Sequence, residues 1–133
     1  MPLRFLLDTH VLIRWLFEMR RLSREQLRVL NGVTQSGEPV AVSAVSLVEI
    51  AVLSGDGRLR LKTSLQALFE DLRVQPSFRV LPLTFEIASE VASLGSLRDP
   101  ADRAIVASAR VHRLRLVTSD QRIIESGLVP VVA

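Results

Sequence analysis

The chain has 133 residues, of which 48% are apolar, and a mean hydropathy of +0.30; these values predict one packed domain over residues 1–133 and exclude disorder. It contains no cysteine, which excludes disulfides, thiolate metal sites and cysteine nucleophiles, so any metal must bind oxygen or imidazole. The net charge is +3, with 16 Arg and one Lys. A polyanionic partner fits this balance, and so does the codon usage of a GC-rich genome.

The amino-terminal segment is apolar but does not fit a secretion signal. Asp8, His10 and Arg14 interrupt the apolar run that such a signal requires. No other segment approaches the roughly 18 uncharged apolar residues of a membrane span. We therefore expect a soluble, cytoplasmic protein with no membrane contact.

Strands alternate with helices in the first half of the chain. Apolar runs indicate the strands, apolar residues at helical spacing indicate the helices, and Ser23 with Gln26 predicts a capping box. Gly37-Glu38-Pro39 and the segment 54–57 interrupt the pattern. These signals predict a strand at 5–8, a helix at 9–17, a helix from Ser23 to about Thr34, a strand at 40–42 and a helix at 43–53.

The alternation continues in the second half. Asp99-Pro100 combines a preferred N-cap with proline at the first helical position, and Thr84 is a second candidate cap. The predicted elements are a helix around 65–72, a strand at 78–81, a helix from Thr84 to about Leu94, a helix from Asp99 to about His112, a strand at 114–118, a helix at 120–125 and a strand at 129–132.

This order of elements predicts an α/β fold with a mostly parallel sheet of about five strands, covered by helices on both faces. Ligands in such sheets bind at the carboxyl ends of the strands. Asp8 and Asp120 each follow a predicted strand directly, so both are expected at that edge. Either residue could also serve only as the N-cap of the next helix.

Two further acids lie in apolar segments. Glu49 has mostly apolar residues at i±3 and i±4, so burial of its carboxylate needs a cation or hydrogen-bond donors, and an arginine partner is the alternative to a metal. Asp102 opens an apolar helix, where it could complete a helix cap. Asp99 is interpreted mainly as the N-cap of that helix.

Asp8, Glu49, Asp102 and Asp120 arrive from separate segments, as the ligands of Mg²⁺ or Mn²⁺ do. Without a cation, converging carboxylates repel one another and their pKa values rise. With a cation, such a cluster can activate water for in-line attack on a phosphodiester. The four acids together indicate one candidate cation site.

Four segments carry a family resemblance: Leu6-Leu7-Asp8-Thr9-His10-Val11-Leu12-Ile13, Ser46-Leu47-Val48-Glu49-Ile50, the segment from Asp99 to Ala107, and Leu116-Val117-Thr118-Ser119-Asp120. In this order and spacing they resemble the PIN-domain ribonucleases, most closely the VapC-type toxins of toxin–antitoxin pairs. The resemblance covers essentially the whole chain. It implies a Rossmann-like, three-layer α/β/α domain of the PIN type.

The resemblance also implies an activity and partners. Members of this family cut single-stranded regions of RNA, commonly form homodimers, and are inhibited by a cognate antitoxin that inserts a segment into the acidic groove. The implied metal-binding and catalytic residues are Asp8, Glu49, Asp102 and Asp120. The candidate supporting residues are Thr9, Ser119 and Asp99, and the candidate RNA contacts are Arg14 and Arg103. For Arg103 an intramolecular salt bridge is the alternative.

Three functions remain open on the sequence alone. The leading hypothesis is a Mg²⁺- or Mn²⁺-dependent endoribonuclease whose acids hold the ion and orient the attacking water. The second is a PIN-like domain that binds RNA or protein without cutting, and the complete set of acids counts against it. The third is a phosphoacceptor receiver-like domain, which would need a lysine late in the chain, whereas the single lysine is Lys62.

Overall fold

Five short strands form the centre of the domain. The computed structural model describes residues 2–133, and its strands are β1 (Phe5–Leu7), β2 (Val40–Ser43), β3 (Phe78–Leu81), β4 (Arg115–Val117) and β5 (Val131–Val132). Their order in the sheet is β3-β2-β1-β4-β5, and all four pairings are parallel. Strands β1 and β2 are buried along their whole length, as expected of a parallel sheet covered on both faces.

Helices cover both faces of this sheet. They are α1 (Thr9–Phe17), α2 (Arg24–Ser36), α3 (Ala44–Gly55), α4 (Leu65–Val74), α5 (Phe85–Val91), α6 (Pro100–His112) and α7 (Gln121–Ser126), with a 3₁₀ turn at Met19–Arg21. One apolar core receives side chains from α1, α2 and α4, and the other receives side chains from α5, α6 and α7. Within residues 2–133, none of the helices is long and apolar enough to cross a membrane.

The predicted fold class is confirmed, and most helix starts lie where the sequence indicated them. The Ser23/Gln26 capping box is present, and Thr84 and Asp99 are the N-caps of α5 and α6. The predicted end of the helix at Leu94 is wrong. Helix α5 ends at Val91 because the next amides bond to carbonyls only three residues back, which turns Leu94 into the core.

The strand order creates a crevice between β1 and β4. The chain leaves β1 towards β2 on one side, whereas β4 and β5 lie on the other side. Ligands in open parallel sheets bind at the carboxyl ends of the strands where the order reverses in this way. In a receiver-like sheet β1 lies between β2 and β3, whereas here it lies between β2 and β4, so the receiver-like alternative is wrong.

Candidate active site

Two carboxylates lie at the carboxyl ends of the central strands. Asp8 follows β1 and caps α1, where its Oδ1 accepts a hydrogen bond of 2.8 Å from the Val11 N–H. Asp120 lies just beyond β4 and caps α7, accepting a hydrogen bond of 2.9 Å from the Arg122 N–H. Both acids are therefore helix N-caps, and both also line the crevice between β1 and β4.

Thr118 connects these two acids. Its side chain is fully buried, its hydroxyl donates to Asp8 Oδ2, and its Oγ1 accepts a hydrogen bond of 3.0 Å from the Asp120 N–H. One side chain thus fixes the Asp8 carboxylate and the backbone at Asp120. The sequence alone placed Thr118 only within a strand. Its position at the end of an apolar run, two residues before Asp120, is the signal that could have identified it.

Burial of the Asp8 carboxylate is unfavourable even though two groups donate hydrogen bonds to it. Its residue is 7% exposed, and this burial raises the pKa of its carboxyl. The hydrogen bonds from Thr118 and Val11 and the charge of His10 oppose that rise, while the negative charge of Asp120 adds to it. A cation in the crevice would offset both the burial and the repulsion.

Glu49 reaches the crevice from α3. The Thr9 hydroxyl, on the first residue of α1, lies 2.5 Å from Glu49 Oε1 and 2.8 Å from Ser46 Oγ. Thr9 is adjacent to Asp8 in the chain, so it joins the acid on α3 to the acid after β1. The ion pairs of residues 2–133 involve other glutamates. The arginine partner considered for Glu49 is therefore wrong, and a threonine hydroxyl takes its place.

Asp102 lies half-buried in the first turn of α6. The N-cap of that helix is Asp99, whose side chain accepts a hydrogen bond of 2.9 Å from the Ala101 N–H, so the cap interpretation is confirmed. Burial raises the pKa of Asp102 to about 6, with further contributions from the charge of Asp99 and from the other three acids of the set. The four acids therefore form one electrostatic cluster.

A single cavity of about 470 Å³ joins these side chains. It is lined by all four predicted metal-binding acids and by the supporting candidates Thr9, Ser119 and Asp99. The other lining residues are His10, Arg14, Ile105, Gln121 and Arg122. Arg14 lines the same cavity as the acids, while its RNA contact stays a prediction, and Arg122 is a lining arginine that the sequence did not single out. Recognising Arg122 required knowing that α7 starts at the crevice.

Arg103 has a different environment. Its Nε donates a hydrogen bond to the Leu97 carbonyl, and it is absent from the residues that line the cavity. The ion pairs of the described chain involve other arginines, so the salt bridge considered for Arg103 is also wrong. The contact fastens the start of α6 to the segment before it.

Ser119 is held by a residue distant in sequence. The fully buried Gln26 donates a hydrogen bond of 3.0 Å from Nε2 to Ser119 Oγ, while its Oε1 accepts from the Ser23 N–H in the capping box. The side chain that caps α2 therefore also fixes the loop after β4. This second role was not evident from the capping-box pattern.

The donor set fits a hard divalent cation. Four carboxylates converging on one cavity match the oxygen ligands that Mg²⁺ and Mn²⁺ prefer, and burial, together with the charges of the neighbouring acids, raises the pKa of Asp102 there. Within residues 2–133, however, no three acidic or imidazole side chains stand close enough together to hold an ion as they are. Asp8, Glu49 and Asp120 are each turned towards local donors. Binding would therefore need the acids to come closer together, and Glu49 could contribute the oxygen that Thr9 does not engage.

The chain is similar to known proteins of one domain type. The family model for the PIN domain matches residues 5–127. Ribonuclease VapC22 of Mycobacterium tuberculosis is 33% identical over 120 residues, which cover 89% of this chain and 88% of that protein. The structure of FitAcB from Neisseria gonorrhoeae superposes with a TM-score of 0.68 at 25% identity, covering 97% and 96% of the two chains. The structure of DNA-bound VapBC2 from Rickettsia felis, at 13% identity and a TM-score of 0.69 over 96% of each chain, shows the same fold.

Proposed function

The chain belongs to the PIN-domain family, and on that premise we propose that it is a Mg²⁺- or Mn²⁺-dependent endoribonuclease and the toxin of a toxin–antitoxin pair. The observation that carries the proposal is the convergence of Asp8, Glu49, Asp102 and Asp120 on one cavity at the crevice between β1 and β4. The relative named a ribonuclease supports the reaction class.

The four acids have two tasks in this proposal. They hold the ion, and one of them orients and accepts a proton from the attacking water. The bound ion would activate that water and neutralise charge on the phosphodiester. Thr118 and Thr9 keep Asp8 and Glu49 in position through their hydroxyls. Such preorganisation matters because a small misplacement of reacting groups costs a large factor in rate.

The arginines of the cavity would bind the RNA backbone. Arg14 on α1 and Arg122 on α7 both line the cavity that holds the acids. Guanidinium groups suit phosphate because they offer paired donors in a fixed plane. The chain has a single tryptophan, Trp15, and no tyrosine, and the partly buried Trp15 packs edge-on against Phe78 at the margin of the core. Base stacking on an aromatic platform is therefore not part of the proposal.

The proposed partners are an antitoxin protein and a second copy of the chain. Solved proteins with this fold include a toxin–antitoxin complex from Klebsiella pneumoniae. This likeness supports an antitoxin as the partner of the chain. Val48 and Val52 are exposed one turn apart on α3, and such a pair of neighbouring apolar side chains is of the kind that a subunit interface covers. A cytoplasmic location follows from the proposal, because RNA and an antitoxin are encountered there.

The experiment is an RNA cleavage assay with purified protein in Mn²⁺. We expect products with 5′-phosphate ends, and we expect Asp8→Asn to lower the rate by at least about 10³-fold, since it removes a charged ligand while keeping a good N-cap. Asp71→Asn, at an exposed aspartate of α4 outside the cavity, is the matched control and should cleave normally. Undiminished cleavage by Asp8→Asn, or full activity in EDTA, would falsify the assignment.

A non-catalytic role is the other outcome of this assay. The absence of a preformed three-ligand set within residues 2–133 is the observation that favours it. If the protein binds RNA in Mn²⁺ but leaves it intact, and Asp8→Asn binds equally well, the domain is a binding module. Cleavage that depends on both Mn²⁺ and Asp8 would exclude this alternative.

A further inference from the structure

Ser46 is a buried polar residue that the four-acid scheme does not use. It lies on α3, one turn before Glu49, and its side chain is fully buried. Buried serines in helices commonly donate to a carbonyl of the preceding turn, as Ser108 does to the Ala104 carbonyl at 2.8 Å in α6. Ser46 instead contacts the Thr9 hydroxyl of a different helix, at 2.8 Å.

Counting protons fixes the direction of this contact. Thr9 Oγ1 lies 2.8 Å from Ser46 Oγ and 2.5 Å from Glu49 Oε1, yet a threonine hydroxyl has only one proton. An ionised carboxylate can only accept, and a charge-assisted hydrogen bond is the stronger and shorter of the two. Thr9 therefore donates to Glu49, and Ser46 donates to Thr9.

From this geometry we infer that Ser46 is a positioning residue for the cation site, acting on Glu49 through Thr9. The Ser46 hydroxyl donates to one lone pair of Thr9 Oγ1 and so favours the orientation in which the Thr9 proton lies on Glu49 Oε1. Glu49 keeps its second oxygen available to the cavity that it lines with Asp8. Groups that orient metal ligands in this way commonly change metal affinity by a factor of about 10 to 100 when they are removed.

The inference rests on the proposed cation site, and its test uses Mn²⁺ alone as the probe. Binding is followed by the electron paramagnetic resonance signal of free Mn²⁺ in titrations of the purified protein. We expect Ser46→Ala to weaken Mn²⁺ binding about 10-fold while the unfolding midpoint in EDTA stays within about 4 °C of the parent. Ser108→Ala is the matched control, because it removes an equally buried serine hydroxyl from a helix, and should leave Mn²⁺ affinity unchanged.

A double-mutant cycle tests the route through Thr9. Thr9→Val removes the hydroxyl that connects Ser46 to Glu49. Adding Ser46→Ala to this variant should therefore cause no further loss of Mn²⁺ affinity. Additive losses in the double variant would overturn the relay. Ser46→Cys, which keeps a weak donor at nearly the same volume, should bind Mn²⁺ with an intermediate affinity and serves if the alanine variant folds poorly.

Catalysis gives an independent readout. A positioning role predicts that Ser46→Ala lowers kcat for RNA at limiting Mn²⁺, leaves KM for RNA unchanged, and recovers as Mn²⁺ is raised. A purely structural role would lower the unfolding midpoint and leave Mn²⁺ affinity at the parent value, and that result overturns the inference. If the parent protein itself shows no saturable Mn²⁺ binding, the proposed function fails first, so the two failures are distinguishable.

Discussion

The two halves of the crevice, one at the strand ends and one on the helices, both hold carboxylates but differ in how those carboxylates are hydrogen-bonded. In the strand-end half, Asp8 and Asp120 accept backbone hydrogen bonds and are joined by Thr118. In the helix half, Glu49 has the Thr9 hydroxyl, whereas hydrogen bonds do not contribute to the pKa of Asp102, which burial and like charges alone raise. Hydrogen-bond donors thus offset part of the cost of burying Asp8, whereas Asp102 lacks such donors and depends on the proposed cation for its neutralisation.

The largest expected effect on stability comes from Thr118→Val, which breaks the hydrogen bonds that hold the strand-end half together. The variant removes the donor to a buried carboxylate oxygen and the acceptor for the Asp120 N–H. We expect the free energy of unfolding in EDTA to fall by about 3 kcal/mol, because a buried charged group loses its partner. Urea denaturation measures the change.

Thr34→Val is the matched control for that variant. Its hydroxyl bonds to the Leu30 carbonyl at 2.9 Å within α2, and its residue is exposed. Substitutions at such positions usually change stability by less than about 0.5 kcal/mol. Equal losses from Thr118→Val and Thr34→Val would show that the strand-end half is not held by Thr118.

The helix half should respond in the opposite direction. Asp102→Asn removes a charge that is partly buried and repelled by the other acids, so the metal-free protein should become more stable at about pH 8. The raised pKa of Asp102, about 6, sets an upper limit on the stability that this substitution can gain. Because Asp102 is only half-buried, solvent screening reduces the expected gain to about 1 kcal/mol. Asp71→Asn, at an exposed position of α4, should change the free energy of unfolding by less than about 0.5 kcal/mol.

The smallest effect is the pH dependence of that gain. The folded pKa of Asp102 is about 6, above the ordinary value of 3.8, so the folded state binds the proton more tightly than the unfolded state. The stabilisation from this proton is complete below the unfolded pKa and is lost as the pH rises through about 6. In EDTA, the advantage of Asp102→Asn over the parent should therefore shrink from about pH 7 to about pH 4. A constant difference across that range would contradict the raised pKa of Asp102 that burial and the neighbouring acids produce.

Much of the fold could be predicted because its signals are local. Asp99-Pro100 and the Ser23/Gln26 pair define helix starts within four residues of chain, and both lie where expected. The end of α5 could not be predicted in this way. It depends on Leu94 packing into the core, which is a tertiary contact that overrides the helical spacing.

The residues of the candidate site also fall into those that the sequence identifies and those that only tertiary contacts reveal. The four acids were identifiable because carboxylates beside apolar runs are costly and therefore conspicuous in a sequence. Thr118 and Ser46 could not be identified, because threonine in a strand and serine in a helix are ordinary residues. Their roles become visible only when the fold brings Asp8 beside Thr118 and Thr9 beside Ser46. Arg103 shows the opposite limit of sequence proximity, since being adjacent to Asp102 in the chain did not place it among the residues that line the cavity, and its RNA contact stays a prediction.

The central claim is that Asp8, Glu49, Asp102 and Asp120 form one cation site whose repulsion a metal relieves. The most direct measurement compares the unfolding midpoints of the parent and Asp102→Asn, first in EDTA and then in saturating Mn²⁺. The account predicts that the order inverts: Asp102→Asn is the more stable protein in EDTA, and the parent is the more stable one in Mn²⁺, because binding to the folded state stabilises it. The same order in both conditions, or no response of the parent to Mn²⁺, would contradict the claim.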